Sequence, residues 1–219
     1  DDIGRDVLSR IVWGTRASLL AGVVAVSIAV ALGVPIGMTA GLVGGFVDAL
    51  ISRLTDAFLA CPFLILAIAL AAFLGPNLTN AMIAIGVSAT PIFVRLTRGQ
   101  VINVKVEDYI EAARALGNPP FRIAWRHVLP NILAPVIVQA TLATAAAIIA
   151  EASLSFLGLG QQPPAPSWGS MLNTAKNYVD NAPWMAIWPG VSIFLLVLSF
   201  NLVGDGLRDA LDPRQSSSA

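Results

Sequence analysis

Apolar residues in this chain are gathered into long continuous runs rather than scattered singly. Five runs, bounded by Gly, Pro or charged residues, cover about 17–43, 57–74, 80–104, 132–157 and 189–204. About 20 apolar residues in a helix cross the ~30 Å hydrocarbon core of a bilayer. The pattern therefore predicts an all-α polytopic membrane protein with five spans, forming a single transmembrane domain over residues 16–214.

The intervals between the runs differ in character. In residues 1–15 the apolar and the charged side chains fall on opposite faces of a helix. This predicts an amphipathic helix lying on the outer surface of the membrane that the chain spans; a linker helix is the alternative. A short polar turn is predicted at 48–56. Residues 158–188, rich in Pro and Trp, predict an outer loop with interfacial anchors. The last five residues, 215–219, predict a disordered tail.

The longest polar interval, residues 105–131, predicts a short helix followed by a turn. Ile110, Ala113 and Leu116 recur at a spacing of three and share one helical face. Gly117 stands where a helix end requires positive φ, a conformation that glycine adopts without strain.

A second short helix is predicted from Pro120, a residue suited to the first helical position, to His127. Pro130 is then expected to begin the next span. Ala112 and Ala113 make one side of the first helix small, so that another protein surface could approach it closely.

Composition agrees with a membrane protein. The chain of 219 residues is 56% hydrophobic and 12% charged, whereas average soluble domains carry about 25% charged residues. The net charge of zero gives no basic field for nucleic acid. The single cysteine, Cys61, cannot form an internal disulfide and is interpreted as a small buried apolar residue.

The cations predict the orientation in the membrane. Positive residues concentrate on the cytoplasmic side of membrane proteins. If the 105–131 loop is cytoplasmic, nine of the 13 cations lie on its side, namely Arg53, Arg95, Arg98, Lys105, Arg114, Arg122, Arg126, Arg208 and Arg214.

Glu151 is the acid placed within an apolar run. It lies roughly 28 Å along the helix from Ile132, which puts it near the far side of the membrane. An intramembrane acid is a functional candidate; the alternative is a structural ion pair at the outer mouth, with Arg5, Arg10 or Arg16 as its partner.

Glycines recur at every fourth residue of the first run, at Gly33, Gly37, Gly41 and Gly45. Such a stripe permits close helix packing, either within this chain or against another subunit.

Two kinds of chemistry are missing from the sequence. Neither lysine follows the glycines of a phosphate-binding loop, so the chain has no ATP-binding motif. One His and one Cys do not make a metal cluster. The chain is therefore expected to bind no cofactor and not to be an enzyme by itself.

One motif resembles the EAA loop of ATP-binding cassette (ABC) importer permeases. Its residues are Glu111, Ala112, Ala113, Gly117, Leu129 and Pro130. His127 departs from the isoleucine of the broad family pattern, and is similar instead to the peptide-importer subgroup.

Three further segments are similar to the C-type permease subunits of dipeptide, oligopeptide and nickel importers. They are the opening 4–19, the stretch 151–160 and the tail 204–214. In that family one further span precedes this point, so an N-terminal span is expected to be missing from the sequence that begins at Asp1. The resemblance implies the MetI-like fold of type I ABC importers.

The resemblance also implies a function and partners. The chain would be a permease subunit in the bacterial inner membrane, translocating dipeptides or oligopeptides by alternating access. A second homologous permease, two ATPase subunits that bind ATP and Mg, and an external binding protein would complete it. The coupling residues would be those of the EAA motif with Arg114.

Three alternatives stay open: an ion-gradient-driven secondary transporter, a structural membrane subunit, and the same family with nickel or glutathione as substrate.

Overall fold

A computed structural model describes residues 1–211 of the chain. Every element in this range is helical. The order is α1 (Val7–Val43), α2 (Gly45–Leu59), α3 (Phe63–Leu74), α4 (Leu78–Val104), α5 (Asp108–Ala115), α6 (Pro120–Ile123), a π-helical turn (Ala124–Val128), α7 (Leu129–Phe156), α8 (Trp168–Ala175) and α9 (Trp184–Leu211). The predicted disordered tail lies outside the described residues.

Four continuous helices are long and apolar enough to cross a membrane. They are α1, α4, α9 and the continuous stretch Pro120–Phe156, and the bent pair α2–α3 makes a fifth if it is counted as one span. The prediction of an all-α polytopic protein is thus confirmed.

The centre of the bundle is the contact between α1 and α4. A side chain added at Gly37 would meet the carbonyl oxygen of Val94 at 2.6 Å, and one added at Gly41 would meet Val101 at 2.6 Å. Gly33 lies as tightly against Phe93. The glycine stripe therefore packs within the chain. Gly45 is not part of this contact, since a side chain added there would meet nothing within 4 Å.

The N-terminal segment is not the separate surface helix that the sequence predicted over 1–15. Asp6 caps α1 by accepting a hydrogen bond from the Ser9 amide, and this bond holds the pKa of the Asp6 carboxyl below its ordinary value. The helix then continues without a break from Val7 into the first span. The first turns of α1 are fixed to the rest of the protein, because the Trp168 indole donates a hydrogen bond of 3.0 Å to the Ile11 carbonyl.

The polar turn predicted over 48–56 is also wrong, because these residues belong to α2. The break comes later, before Pro62, and α3 leaves at 88° to α2. The charges of α2 are held by α4: Arg98 grips the Asp48 carboxylate with two nitrogen atoms, and Arg95 donates a hydrogen bond of 2.6 Å to Asp56. The charged residues that predicted a turn, Asp48 and Asp56, therefore attach α2 to α4.

The helix beginning at Pro120 does not end at His127. It passes through the π-helical turn into α7. The Leu129 amide donates to the Ala124 carbonyl, five residues back. A π turn is wider than an α turn, and Pro130, which has no N–H to satisfy, falls directly after it.

Two apolar clusters form the core. One joins α1, α3, α4 and α7 and is built largely of alanines around Ile85, Phe93 and Leu154. The other joins the ends of α1, α4 and α7 to the helices of the polar loop. The second cluster therefore carries the surface described next.

Candidate functional site

Helix α5 begins with charges that suit its dipole. Glu107 occupies the N-cap position, Asp108 and Glu111 lie in the first turn, and Arg114 lies in the last. Acids at the N-terminus and cations at the C-terminus of a helix stabilise it. Partial burial and the Glu107 carboxylate raise the pKa of the Tyr109 hydroxyl, which is therefore neutral at physiological pH.

A glycine ends α5 and turns the chain. Gly117 adopts φ +77°, the left-handed conformation that the sequence predicts. Its amide donates to the Arg114 carbonyl at 2.9 Å, and the Asn118 amide donates to the Ala113 carbonyl at 3.2 Å. These two bonds are those of a Schellman motif, so the angle between α5 and α6 is set by local hydrogen bonds.

One face of α5 is buried within the chain itself. Ile110 is fully buried and Ala113 is 5% exposed, and both pack on the cluster that includes Met38, Val101 and Ile132. The prediction that Ala113 offers a small surface to a partner is therefore wrong. The side chain of Ala113 is already covered by the helices that carry the loop.

Other apolar side chains of the same loop are exposed. Leu116 is 84% exposed, Phe121 74% and Trp125 55%, and the rings of Phe121 and Trp125 lie 6.0 Å apart. Glu111, Ala112 and Arg114 are exposed on α5 in the same loop. We call this group of six residues the loop platform.

The sequence reasoning missed three members of the loop platform. Leu116 shares the helical spacing of Ile110 and Ala113, but it is the C-cap of α5 and is exposed rather than packed with them. Phe121 and Trp125 lie four residues apart in a polar interval, a spacing that brings two side chains together on one helical face. Exposed aromatic residues of this kind are enriched in protein–protein interfaces.

The last two motif residues lie apart from this face. Leu129 is partly buried against the second cluster, and Pro130 is exposed at the start of α7. Both residues belong to the first turn of α7 and are not part of the loop platform.

Glu151 lies near the other end of α7 and is completely buried. The Ser155 hydroxyl donates to one carboxyl oxygen at 2.6 Å and the Ser18 hydroxyl of α1 donates to the other at 3.2 Å. The Ser155 oxygen in turn accepts the Gln161 amide at 3.1 Å. Glu151 thus ties α1, α7 and the following loop together.

The ion pair predicted for Glu151 is not found within residues 1–211. Within residues 1–211, Arg5 and Arg10 approach Asp1 instead, and Arg16 makes no ion pair. Serine hydroxyls satisfy the carboxyl oxygens because Ser18 and Ser155 reach them along the packed helices, whereas Arg16 is on the exposed side of α1.

A family profile matches most of the chain. The family described as "Binding-protein-dependent transport system inner membrane component" matches residues 33–217.

Individual relatives align from end to end. The "Dipeptide transport system permease protein DppC" of Alkalihalophilus pseudofirmus is 52% identical over 217 residues, 99% of this chain and 71% of the relative. The "Di/tripeptide transport system permease protein DppC" of Pseudomonas aeruginosa is 48% identical, over 100% of this chain and 72% of the relative. The "Glutathione transport system permease protein GsiD" of Pectobacterium atrosepticum is 45% identical, over 99% and 72%.

Two kinds of solved structure share the architecture. An inward-facing MetNI methionine ABC transporter chain gives a TM-score of 0.78 at 21% identity, covering 94% of this chain and 97% of that one. A chain of an amino acid ABC transporter with histidines gives 0.63 at 18% identity, covering 94% and 99%. These likenesses confirm the MetI-like fold.

Proposed function

Because this chain belongs to the family of inner-membrane components of binding-protein-dependent transport systems, we propose that it is the permease subunit of an ABC importer for dipeptides and other short peptides. The observation that carries the proposal is the loop platform: an exposed apolar surface on two short helices, rigidly attached to the spans. Its position in the chain coincides with the motif expected to contact an ATPase.

The platform is suited to transmitting motion. Ile110 is anchored in the cluster formed by α1, α4 and α7, and interiors packed in this way transmit displacement rather than absorb it. A partner that moves α5 would therefore move the inner ends of three spans together. Alternating access needs such a coupled displacement.

The proposed assembly has four kinds of component. This chain and a second homologous permease form the path, two ATPase subunits bind ATP and Mg, and an external binding protein delivers the substrate. ATP would favour one of two conformations through contacts that differ between them, since a ligand shifts an equilibrium only by its differential affinity.

The contact with the ATPase can be tested on the loop platform. Replacing Leu116 or Phe121 by Ser removes an exposed apolar anchor, and we expect ATPase binding to weaken about tenfold, as for interface hot spots. Leu211→Ser, at the exposed end of α9, is the matched control. The measurement is the dissociation constant of the ATPase from the purified permease pair; unchanged affinity in both platform variants would refute the proposal.

The substrate class rests on the relatives named for dipeptides. Glutathione is the second candidate, because permeases named for it are 45–49% identical to this chain. Proteoliposomes holding the complete transporter and its binding protein should accumulate a labelled dipeptide in an ATP-dependent way. Accumulation of glutathione but not of dipeptides would assign the second substrate, and accumulation without ATP would refute an ABC importer.

A further inference from the structure

A cavity of about 370 Å³ lies at the end of α1 opposite the loop platform. One face of α1 forms most of its wall, and the start of α4 and the segment before α8 complete it. The residues that matter are Arg10, Trp13, Arg16, Leu20, Leu78 and Gln161.

The cavity holds two guanidinium groups that donate no side-chain hydrogen bond within residues 1–211. The Arg10 side chain is only 15% exposed, and its Nε lies 3.7 Å from the Asp1 carboxylate, beyond hydrogen-bond distance. Arg16 is exposed and, among the described residues, donates no side-chain hydrogen bond and forms no ion pair. A guanidinium carries five N–H donors, and leaving them unpaired when partly buried is unfavourable. An anion placed between the two side chains would supply the acceptors that these N–H groups lack.

The lining also changes character along the helix. Arg10 and Arg16 lie about 9 Å apart along α1, and Leu20 follows after another 6 Å or so. Trp13 is 65% exposed between the two arginines, and Leu20 is 47% exposed. Tryptophan and arginine are typical of the lipid headgroup level, and leucine of the acyl region. The cavity wall therefore changes from polar to apolar along α1, in the same order as the headgroup and acyl chains of a membrane lipid.

We propose that this cavity binds an anionic phospholipid, with the phosphodiester between Arg10 and Arg16 and an acyl chain along Leu20 and Leu78. A zwitterionic peptide fits less well, because none of the lining residues is acidic and the nearby Asp1 carboxylate is already bound by Arg5 at 2.6 Å. The site is separate from the loop platform and does not depend on which substrate is carried.

The test uses the complete transporter in detergent, with native mass spectrometry and thermal unfolding as readouts. Phosphatidylglycerol should be retained and should raise the unfolding temperature more than phosphatidylcholine does. In Arg10→Gln/Arg16→Gln the affinity for phosphatidylglycerol should fall about tenfold or more, the effect of removing charge-assisted hydrogen bonds. Lys176→Gln, a cation at the same end but outside the cavity, should bind as the unmodified transporter does.

Three outcomes would overturn the proposal. They are equal binding of the two lipids, equal retention by the double variant, and displacement of phosphatidylglycerol by a dipeptide. Glycerol phosphate that binds as tightly as the lipid would show a free-anion site instead. If the double variant does not assemble, Arg16→Gln alone decides the question, since Arg16 is exposed and its side chain makes no hydrogen bond or ion pair within residues 1–211.

Discussion

Single residues in this bundle matter mainly where they allow helices to approach. Gly33, Gly37 and Gly41 bring α1 against the backbone of α4. Glu151 acts differently, since its carboxyl oxygens accept hydrogen bonds from two serine hydroxyls and so link two helices. The first kind of contact is sensitive to one added carbon atom, and the second to the loss of an acceptor.

Gly37→Ala should destabilise the protein. The added carbon would meet the Val94 carbonyl oxygen at 2.6 Å and Thr97 Cβ at 2.8 Å, and overpacking of this kind costs about 1–3 kcal/mol. Gly99→Ala is the control, because that position faces open space on α4; its effect should be neutral or stabilising by up to about 1 kcal/mol. Denaturant unfolding in mixed micelles measures both, and equal stabilities would contradict the packing argument.

Glu151→Ala should lower the free energy of unfolding by about 1–3 kcal/mol, because the buried Ser18 and Ser155 hydroxyls lose their acceptor. Glu151→Gln keeps an acceptor oxygen and nearly the same volume, so most of the stability should remain. The same unfolding assay distinguishes them. A Gln variant as unstable as the Ala variant would show that the carboxyl itself, rather than its acceptor oxygens, is required.

The angles between successive helices in this chain are set by short turns and by ion pairs. The bend between α2 and α3 falls before Pro62, and ion pairs from α4 hold α2 in place. The Schellman motif at Gly117 sets the angle between α5 and α6. Because the loop platform contains residues from both of these helices, its shape depends on that one turn.

Gly117→Val should distort the platform without preventing membrane insertion. An added Cβ would meet no atom within 4 Å, so the expected effect comes from φ +77°, at about 1–3 kcal/mol. We expect ATP-driven transport and ATPase binding to fall. Gly117→Asn, which tolerates this conformation better, should retain more of both; normal transport in the Val variant would show that the turn is dispensable.

The molecule as a whole is shaped for a bilayer. Apolar side chains remain exposed around its exterior, such as Phe194 at 62% and Leu202 at 63% on α9. Patches of this size on a water-soluble protein would drive association. The loop platform and the cavity at Arg10 lie at opposite ends of α1, a helix of 37 residues or about 55 Å.

The two ends should therefore label from opposite sides of the membrane. In a Cys61→Ala background, Ala115→Cys and Asn177→Cys place single exposed thiols near the loop platform and after α8. An impermeant maleimide applied to intact spheroplasts should modify the second and not the first. Both should react after lysis; reaction of both in intact spheroplasts would refute the orientation predicted from the cations.

The sequence by itself determined the features that depend on local physics. The apolar runs located the spans, because transfer into a bilayer is roughly a sum over the residues of one helix. The end of α5 was also predictable, since the Schellman bonds at Gly117 join residues at most five apart. The likeness of four segments to peptide-importer permeases placed the chain in its family.

Only the tertiary structure decided which surface each residue faces. Ala113 is covered and Leu116 is exposed because α1, α4 and α7 meet one side of the helix and not its end. Glu151 has serines rather than an arginine as partners because Ser18, 133 residues away along the chain, lies opposite it. The glycine stripe likewise faces α4 of the same chain. Such contacts depend on how the helices are arranged in space, and the residue pattern of one helix alone does not contain that arrangement.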